Sequence, residues 1–151
     1  IGQGSTSNGT ILVVSGEGRS LVVGDDCMFA RNVTIQTHDQ HAVVDMTTGA
    51  LRNPPQDVFL EPHVWVGEGA TIGKGVIVGL GSIVGAKSLV LKSCPRFVSV
   101  GGVPAKVLVS DVTWDRFAIP SKDIVDRMKA MAARVPAVSV ASMEGQRLAL
   151  S

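Results

Sequence analysis

The 151-residue sequence predicts an all-β domain whose short strands wind into a parallel β-helix, followed by a short C-terminal α-helix. Three observations support this fold class. An aliphatic residue recurs at every sixth position from Leu60 to Val90, glycine follows four of those six residues, and aromatic residues form only 4% of the chain. Because large rings are so scarce, the core must be thin and built from branched aliphatic side chains.

Each six-residue unit of this repeat is predicted to form one short strand and one corner. A small or slim residue lies two positions before the next aliphatic residue, so both side chains point to the same side of a strand. The glycine after the aliphatic residue permits a backbone conformation or a close approach that a Cβ atom would resist. Three units then complete one coil of about 18 residues, and coils stack by parallel pairing. The aliphatic positions are Leu60, Val66, Ile72, Val78, Val84 and Val90, and the slim positions are Val64, Ala70, Val76, Ser82, Ser88 and Cys94.

Charge and cysteine content exclude several classes of protein. The chain has 14 Lys and Arg against 13 Asp and Glu, a formal net charge of +1, so it lacks the clustered positive field typical of nucleic-acid partners. No apolar run approaches the ~20 residues that span a bilayer, and no signal peptide opens the chain. We therefore expect a cytoplasmic protein without a membrane span. Cys27 and Cys94 fall in the slim inward slot and are predicted to be buried thiols.

The repeat is interrupted over residues 36–57, and interruptions of a solenoid often carry its function. Two consecutive prolines, a preceding asparagine and a glycine mark irregular backbone in this predicted loop. All three histidines of the chain, His38, His41 and His63, lie in the loop or just beyond it. Composition alone leaves open that they are ordinary polar surface residues.

The loop and the strand after it contain a recognisable pattern, Asp39-Gln40-His41, Asp45, Thr48-Gly49 and then Val64-Trp65-Val66-Gly67. This pattern resembles the hexapeptide-repeat acyltransferases, and most closely the sugar and polysaccharide O-acetyltransferases, such as maltose and galactoside acetyltransferases. The resemblance extends over roughly residues 8–114. It implies a left-handed β-helix, which runs against the usual right-handed rule for parallel crossovers.

The resemblance assigns catalytic roles to four residues. It implies that His41 is the general base for a sugar hydroxyl, a role suited to a side chain that titrates near pH ~6.5. Asp39 either orients His41 or caps its loop. Trp65 packs the loop onto the β-helix or walls the acetyl pocket. The backbone N–H at Glu68 is expected to stabilise the oxyanion, although the resembling enzymes often carry serine at this position.

Three further polar residues lie near the implied base. His38 falls at a variable position of the pattern and is expected to face the substrate, as is Asp45. His63 stands where the resembling enzymes have a small polar residue, and it is the alternative candidate for the base. A carbonic-anhydrase-like enzyme, with three histidines converging on zinc between subunits, is the metal-dependent alternative. No resident metal is predicted.

Two downstream tracts resemble the coenzyme A-binding tract of the same enzymes. They imply that the backbone at Ala86 and Gly102 pairs with the pantetheine arm of acetyl-CoA, while Lys92 and Lys106 meet its phosphates as point charges. A bend between the two lysines is expected to bring both to one cleft. The alternative is that they are solvated surface lysines. The tracts are residues 85–92 and 101–106.

The sequence thus predicts a β-helix acyltransferase domain over residues 1–110 and a C-terminal extension over 111–151. Ser121 is expected to cap a helix over about residues 121–135, whereas residues 137–151 show no pattern. The implied function is O-acetyl transfer from acetyl-CoA to a hydroxyl of a sugar or polysaccharide, by a homotrimer with active sites between subunits. The alternatives are N-acetyl transfer to an amino sugar or antibiotic, and a non-catalytic β-helix binding module.

Overall fold

The computed structural model describes residues 1–139, so predictions about residues 140–151 lie outside the described part of the chain. Most strands have two to four residues, as expected of units that turn a corner every six positions. Within residues 1–139, no helix is long and apolar enough to cross a membrane. The elements are β1 (Thr6–Ser7), β2 (Thr10–Val13), β3 (Leu21–Val23), β4 (Met28–Phe29), β5 (Val33–Gln36), β6 (Val58–Leu60), β7 (Trp65–Val66), β8 (Thr71–Ile72), β9 (Ile77–Val78), β10 (Ile83–Val84), β11 (Leu89–Val90), β12 (Val98–Gly102), β13 (Ala105–Ser110) and α1 (Ile124–Arg134).

The strands form three sheets that are the faces of a prism. Face A holds β1, β4, β7, β10, β12 and β13, face B holds β2, β5, β8 and β11, and face C holds β3, β6 and β9. Trp65 pairs in parallel with Ile83, and Thr71 with Leu89, each partner being 18 positions further along the chain. The predicted coil length and the parallel pairing are therefore confirmed. After β12 the chain turns back, and β13 pairs with β12 in antiparallel fashion.

Three coils depart from this length. The first is longer, since Thr6 pairs with Met28, 22 positions on. Met28 pairs with Trp65, 37 positions on, because a loop of residues 37–57 is inserted between β5 and β6. Ile83 pairs with Ser99, 16 positions on, so the coil nearest the C-terminal end of the β-helix is shorter than the others. The inserted loop is the largest of these departures, and it falls where the repeat of the sequence is interrupted.

Both inward slots of the repeat are buried, as predicted. The six aliphatic residues from Leu60 to Val90 are at most 2% exposed, and the slim residues are at most 7% exposed. Burial raises the pKa of the Cys27 thiol to about 11, and it also raises the pKa of Cys94. Both cysteines are therefore protonated core residues at neutral pH.

Glycine serves two separate purposes in the repeat. A Cβ atom on Gly67 would lie 2.6 Å from the backbone nitrogen of Ala86, and one on Gly79 would lie 2.4 Å from that of Arg96, so these positions need glycine because neighbouring coils approach closely. Two positions after Gly67, Gly69 takes the left-handed conformation that turns the corner, with φ of +67°. The same corner conformation recurs at intervals of six residues, at His63, Gly69, Gly75, Gly81 and Lys87.

After β13 the chain runs back along the corner between faces C and A, and we call residues 111–119 the strap. The strap crosses successive coils and forms a side-chain or backbone hydrogen bond to each of them. Its bonds, from the C-terminal coil downwards, are Val112 N–H to the Phe97 carbonyl, Thr113 Oγ1 to Gly81, Trp114 Nε1 to His63 and Arg116 Nη2 to Cys27 and Gly4.

The predicted C-terminal helix is confirmed as α1, although it begins later than expected. Its N-cap is Asp123, and no side chain caps it. Ser121 lies two residues before this cap, and its N–H donates to the Asp115 carboxylate of the strap at 2.9 Å. The buried Met128 packs with Leu80, so α1 covers part of the corner between faces C and A.

Candidate active site

The inserted loop leaves the β-helix at the corner between faces B and C. Thr37 closes its base, because its N–H donates to the Val13 carbonyl at 3.0 Å and its carbonyl accepts the Gln56 N–H at 2.9 Å. Above the base, Val44 and Leu51 are bridged in antiparallel fashion. The loop is therefore a closed and structured excursion from one corner of the prism.

A three-residue anchor fixes the loop to the next coil. The Asp39 carboxylate forms an ion pair with Lys74 and accepts a hydrogen bond from the Asn53 side chain at 2.9 Å. Asn53 also donates to the His41 carbonyl at 2.9 Å. The hydrogen bonds from Lys74 and Asn53 hold the pKa of Asp39 below its ordinary value. Asp39 is thus bonded to the loop and to the next coil, and its role in orienting His41 stays a prediction.

Lys74 and Asn53 do not stand out in the sequence. They lie 35 and 14 positions from Asp39, and no local pattern connects the three residues. A lysine at a coil corner and an asparagine before a proline each have an ordinary explanation. Only the folded chain shows that they act together.

The His41 imidazole is open to an incoming group. The side chain is exposed, and within residues 1–139 its ring forms no hydrogen bond or ion pair. The backbone around it is held on both sides, since the His41 N–H donates to the Asp39 carbonyl at 2.9 Å and the His41 carbonyl accepts from Asn53. A fixed backbone with a free ring suits a residue that must accept a proton from a bound hydroxyl.

The two predicted substrate-facing residues help to shape the loop. His38 Nδ1 accepts the Gln40 N–H at 2.7 Å. Asp45 Oδ1 accepts the backbone N–H groups of Thr48 and Thr47, at 2.8 and 2.9 Å, and these bonds hold its pKa below the ordinary value. The contacts define their structural roles, and substrate contact stays a prediction for both.

His63 is placed differently from the other histidines. It is 2% exposed, its Nδ1 lies 2.7 Å from Asp26 Oδ2, and its Nε2 lies 3.0 Å from the Trp114 carbonyl oxygen. The ring also stacks on Trp114, with centroids 4.3 Å apart and planes 13° apart. Because the ring is buried and both nitrogens are occupied, His63 is not positioned to take a proton from a substrate.

Trp65 lies on the outer side of face A and is 37% exposed. Its ring is 6.1 Å from that of Trp114, at an angle of 48°. The indole therefore lies beside the strap, which runs along the corner between faces C and A, whereas the loop leaves from the corner between faces B and C. Glu68, three residues further on, lies at the corner between faces A and B and forms an ion pair with Arg31 at 3.4 Å.

The predicted coenzyme residues lie at a different corner from the loop. Ala86 follows β10 and Gly102 ends β12, so both lie at the corner between faces A and B. Lys106 pairs with Gly101 at the start of β13 and belongs to the same edge. Lys92 follows β11 and lies at the corner between faces B and C. Within one chain the expected bend therefore does not bring the two lysines together, because face B separates their corners.

No group of three or more His, Cys, Asp or Glu side chains in residues 1–139 is arranged to hold a metal ion. The three histidines are divided by their surroundings: His38 and His41 belong to the loop, whereas His63 is enclosed by the strap. A three-histidine site would require His63 to leave both of its hydrogen-bond partners and its stacking partner.

The chain is similar to polysialic acid O-acetyltransferases in sequence and in structure. It is 38% identical over 97 residues to the polysialic acid O-acetyltransferase of Escherichia coli O1:K1 / APEC, a match of 64% of this chain and 32% of that protein. The solved polysialic acid-specific acetyltransferase NeuO superposes with a TM-score of 0.67 and 31% identity, over 86% of this chain and 62% of that chain. The polysialic acid O-acetyltransferase OatWY superposes with a TM-score of 0.66 and 25% identity, over 83% of this chain and 72% of that chain.

The chain spans about a third of the length of its curated relative. No protein-family model matches it. The repeat of six residues, the three-faced coil and the likeness in structure nevertheless agree on the fold. The chain is a left-handed parallel β-helix, as are the acetyltransferases that it resembles.

Proposed function

We propose that this protein transfers the acetyl group of acetyl-CoA to a hydroxyl of a sugar or polysaccharide. The observation that carries the proposal is the open His41 ring on the inserted loop, in a chain that resembles polysialic acid O-acetyltransferases. A hydroxyl is a poor nucleophile at neutral pH, and a positioned imidazole can remove its proton during attack.

The reaction needs one base and no covalent enzyme intermediate. As His41 removes the hydroxyl proton, the acceptor oxygen bonds to the thioester carbonyl carbon, and the carbonyl oxygen becomes negatively charged. The backbone N–H at Glu68 is the proposed donor to that oxyanion. When the carbon–sulfur bond breaks, the proton on His41 passes to the departing thiolate. The products are the acetyl ester and free coenzyme A.

A homotrimer is the assembly that this proposal requires. His41 and the proposed coenzyme residues Ala86 and Gly102 lie at different corners of one prism, with face B between them. Packing of one copy beside another can bring the loop corner of one chain to the coenzyme corner of its neighbour. Lys106 then meets the coenzyme phosphates from one chain, and Lys92 from the other. Sedimentation velocity tests the assembly, and a monomeric active enzyme contradicts it.

The other candidates receive less support from the described residues. A three-histidine metal enzyme is disfavoured by the enclosed position of His63. A non-catalytic module does not account for a loop whose backbone is anchored around an exposed imidazole. N-acetyl transfer uses the same donor and the same base, so it is distinguished by the product. A cytoplasmic location and the domain division near residue 110 stay predictions.

The test is acetyl transfer from labelled acetyl-CoA to a panel of mono-, oligo- and polysaccharides, including polysialic acid, with product masses measured. His41→Ala should lower turnover by about 10²- to 10⁴-fold and leave folding intact, since the residue lies outside the repeat. Met46→Ala is the matched control, because Met46 lies in the same loop and is 97% exposed. Near-normal transfer by His41→Ala, or no transfer by the wild-type protein to any acceptor, overturns the proposal.

A further inference from the structure

We propose that Trp114, clamped by His63, is a positioning residue that holds the Trp65 indole in place as the predicted wall of the acetyl pocket. This inference rests on the proposed function, because it gives Trp65 a task in that site. The sequence shows Trp114 and His63 as separate residues 51 positions apart. The structure joins them into one unit behind Trp65.

The Trp65 side chain is confined on three sides. Its neighbours in register on face A are Met28 on one side and Ile83 on the other, and side chains opposite each other in paired strands are in contact range. Trp114 supplies the third side, at a centroid distance of 6.1 Å and a tilt of 48°, which is a favourable geometry for two aromatic rings. The remaining side is open, in agreement with the 37% exposure of Trp65.

The Trp114 ring is held by reciprocal bonds to His63. Trp114 Nε1 donates to the His63 carbonyl at 2.8 Å, and His63 Nε2 lies 3.0 Å from the Trp114 carbonyl oxygen. The two rings are stacked, with centroids 4.3 Å apart. These contacts fix both the backbone and the ring plane of Trp114. The indole of Trp114 is therefore held in one orientation relative to the Trp65 indole.

His63 is itself fixed from the other side. Its Nδ1 lies 2.7 Å from Asp26 Oδ2, and Arg116 of the strap forms an ion pair with the same Asp26 carboxylate at 2.7 Å. The guanidinium also lies over the Trp114 ring, 5.6 Å from its centroid. A closed set of contacts therefore links the strap, the Trp114 ring and the coil corner. These contacts hold the Trp114 ring while the strap is in place.

The expected consequence is a specific loss of turnover. Trp114→Leu removes the ring that confines Trp65 and leaves the coil unchanged, so the indole that is predicted to wall the acetyl pocket gains rotational freedom. A misplacement of about 1 Å can cost up to 10²-fold in rate, and we expect kcat to fall about 10- to 100-fold. The KM for acetyl-CoA should change by less than about threefold, because the proposed coenzyme contacts at Ala86 and Gly102 are untouched. Trp114→Phe keeps an aromatic face toward Trp65 and should retain most of the activity.

The chain offers a direct spectroscopic readout, since Trp65 and Trp114 are its two tryptophans. In both Trp114 variants, Trp65 is the sole tryptophan, and its fluorescence anisotropy and acrylamide quenching report its freedom. Trp114→Leu should show lower anisotropy and faster quenching than Trp114→Phe. Thr113→Val is the matched control, because it removes a strap hydrogen bond to Gly81 at 3.1 Å without touching the Trp65–Trp114 pair; its kcat should stay within about twofold of wild type.

Equal anisotropy and equal kcat in Trp114→Leu and Trp114→Phe overturn the proposal. It also fails if Thr113→Val loses as much turnover as Trp114→Leu, because general strap stability then explains both. If Trp114→Leu does not fold, the comparison is made between Trp114→Phe and the double variant Trp114→Phe/His63→Asn. The double variant should show the lower anisotropy and the lower kcat, because it lacks the stacking imidazole. Asparagine tolerates the left-handed backbone of position 63. If the wild-type protein transfers no acetyl group, the proposed function fails, while the Trp65 anisotropy still decides the positioning.

Discussion

Replacing Glu61 with glutamine should strongly destabilise the protein, because this carboxylate joins the C-terminal segment to the β-helix. Its side chain is 2% exposed. Oε2 accepts the Leu80 N–H at 2.8 Å and Arg96 Nε at 2.6 Å, and Oε1 accepts Arg96 Nη2 at 2.9 Å and the Val138 N–H at 2.7 Å. Each of the two carboxylate oxygens therefore accepts two hydrogen bonds.

The size of the effect follows from these four bonds. Glutamine replaces one acceptor oxygen by an amide NH₂ group, so two of the four bonds become donor-to-donor contacts. Arg96, whose side chain is 20% exposed and also donates to the Val135 carbonyl at 2.9 Å, loses its counter-charge. Hydrogen bonds to charged groups contribute ~1.5–3 kcal/mol each, and removing one partner of a buried ion pair costs ~3–5 kcal/mol. We expect the free energy of unfolding to fall by about 3–5 kcal/mol.

The same carboxylate predicts a pH dependence. Burial by itself raises the pKa of Glu61, but the hydrogen bonds from Arg96 and from the backbone N–H groups of Val138 and Leu80 outweigh burial, and the pKa lies below its ordinary value. A carboxyl whose pKa is depressed by folding stabilises the protein above the ordinary value, near ~4.3. That stability is lost as the pH falls through the depressed pKa. The difference between wild type and Glu61→Gln should therefore shrink in acid.

The assay is urea unfolding followed by circular dichroism at one fixed protein concentration, at about pH 7 and in steps down to about pH 3.5. Glu17→Gln is the matched control, because Glu17 is exposed and forms no ion pair within residues 1–139. A loss below about 1 kcal/mol in Glu61→Gln at pH 7 would refute the reasoning. So would a wild-type advantage that stays constant through the acid range.

Three further outcomes follow from the packing and from the proposed groove. Gly79→Ala should cost about 1–3 kcal/mol of unfolding free energy, because its Cβ would meet backbone at 2.4 Å; Gly73→Ala, which meets a movable leucine side chain at 3.1 Å, should cost clearly less in the same urea assay. The Cys27 thiol, with its pKa raised to about 11 by burial, should resist a disulfide reagent at pH 8 until urea unfolds the chain, and rapid labelling of the native protein would contradict its burial. Lys106→Ala and Lys92→Ala should each raise the KM for acetyl-CoA about fivefold, which corresponds to a loss of roughly 1 kcal/mol of binding free energy. The kcat should stay unchanged, and the rise in KM should be smaller in high salt. Unchanged acetyl-CoA titrations in both lysine variants would show that they are solvated surface residues.

The sequence by itself determined the fold class, because the signal of a β-helix is local and repeated. Each inward slot depends on residues two and six positions apart, so burial from Val64 to Cys94 could be predicted without knowing which coils touch. The purpose of individual glycines could not be predicted in the same way. Whether a glycine is needed for a close approach, as at Gly67, or for a left-handed corner, as at Gly69, depends on the coil stacked against it.

The candidate site shows the same division. The interruption of the repeat located the loop, and the resemblance, which lies in adjacent residues, singled out His41. The partners of Asp39, the enclosure of His63 and the separate corners of Lys92 and Lys106 depend on contacts between residues many positions apart. An insertion of irregular length also shifts the phase of the repeat that follows it, so the repeat could not place the loop against a particular coil. Local periodicity thus determined the coil, and only the stacking of coils decided which polar groups stay free for chemistry.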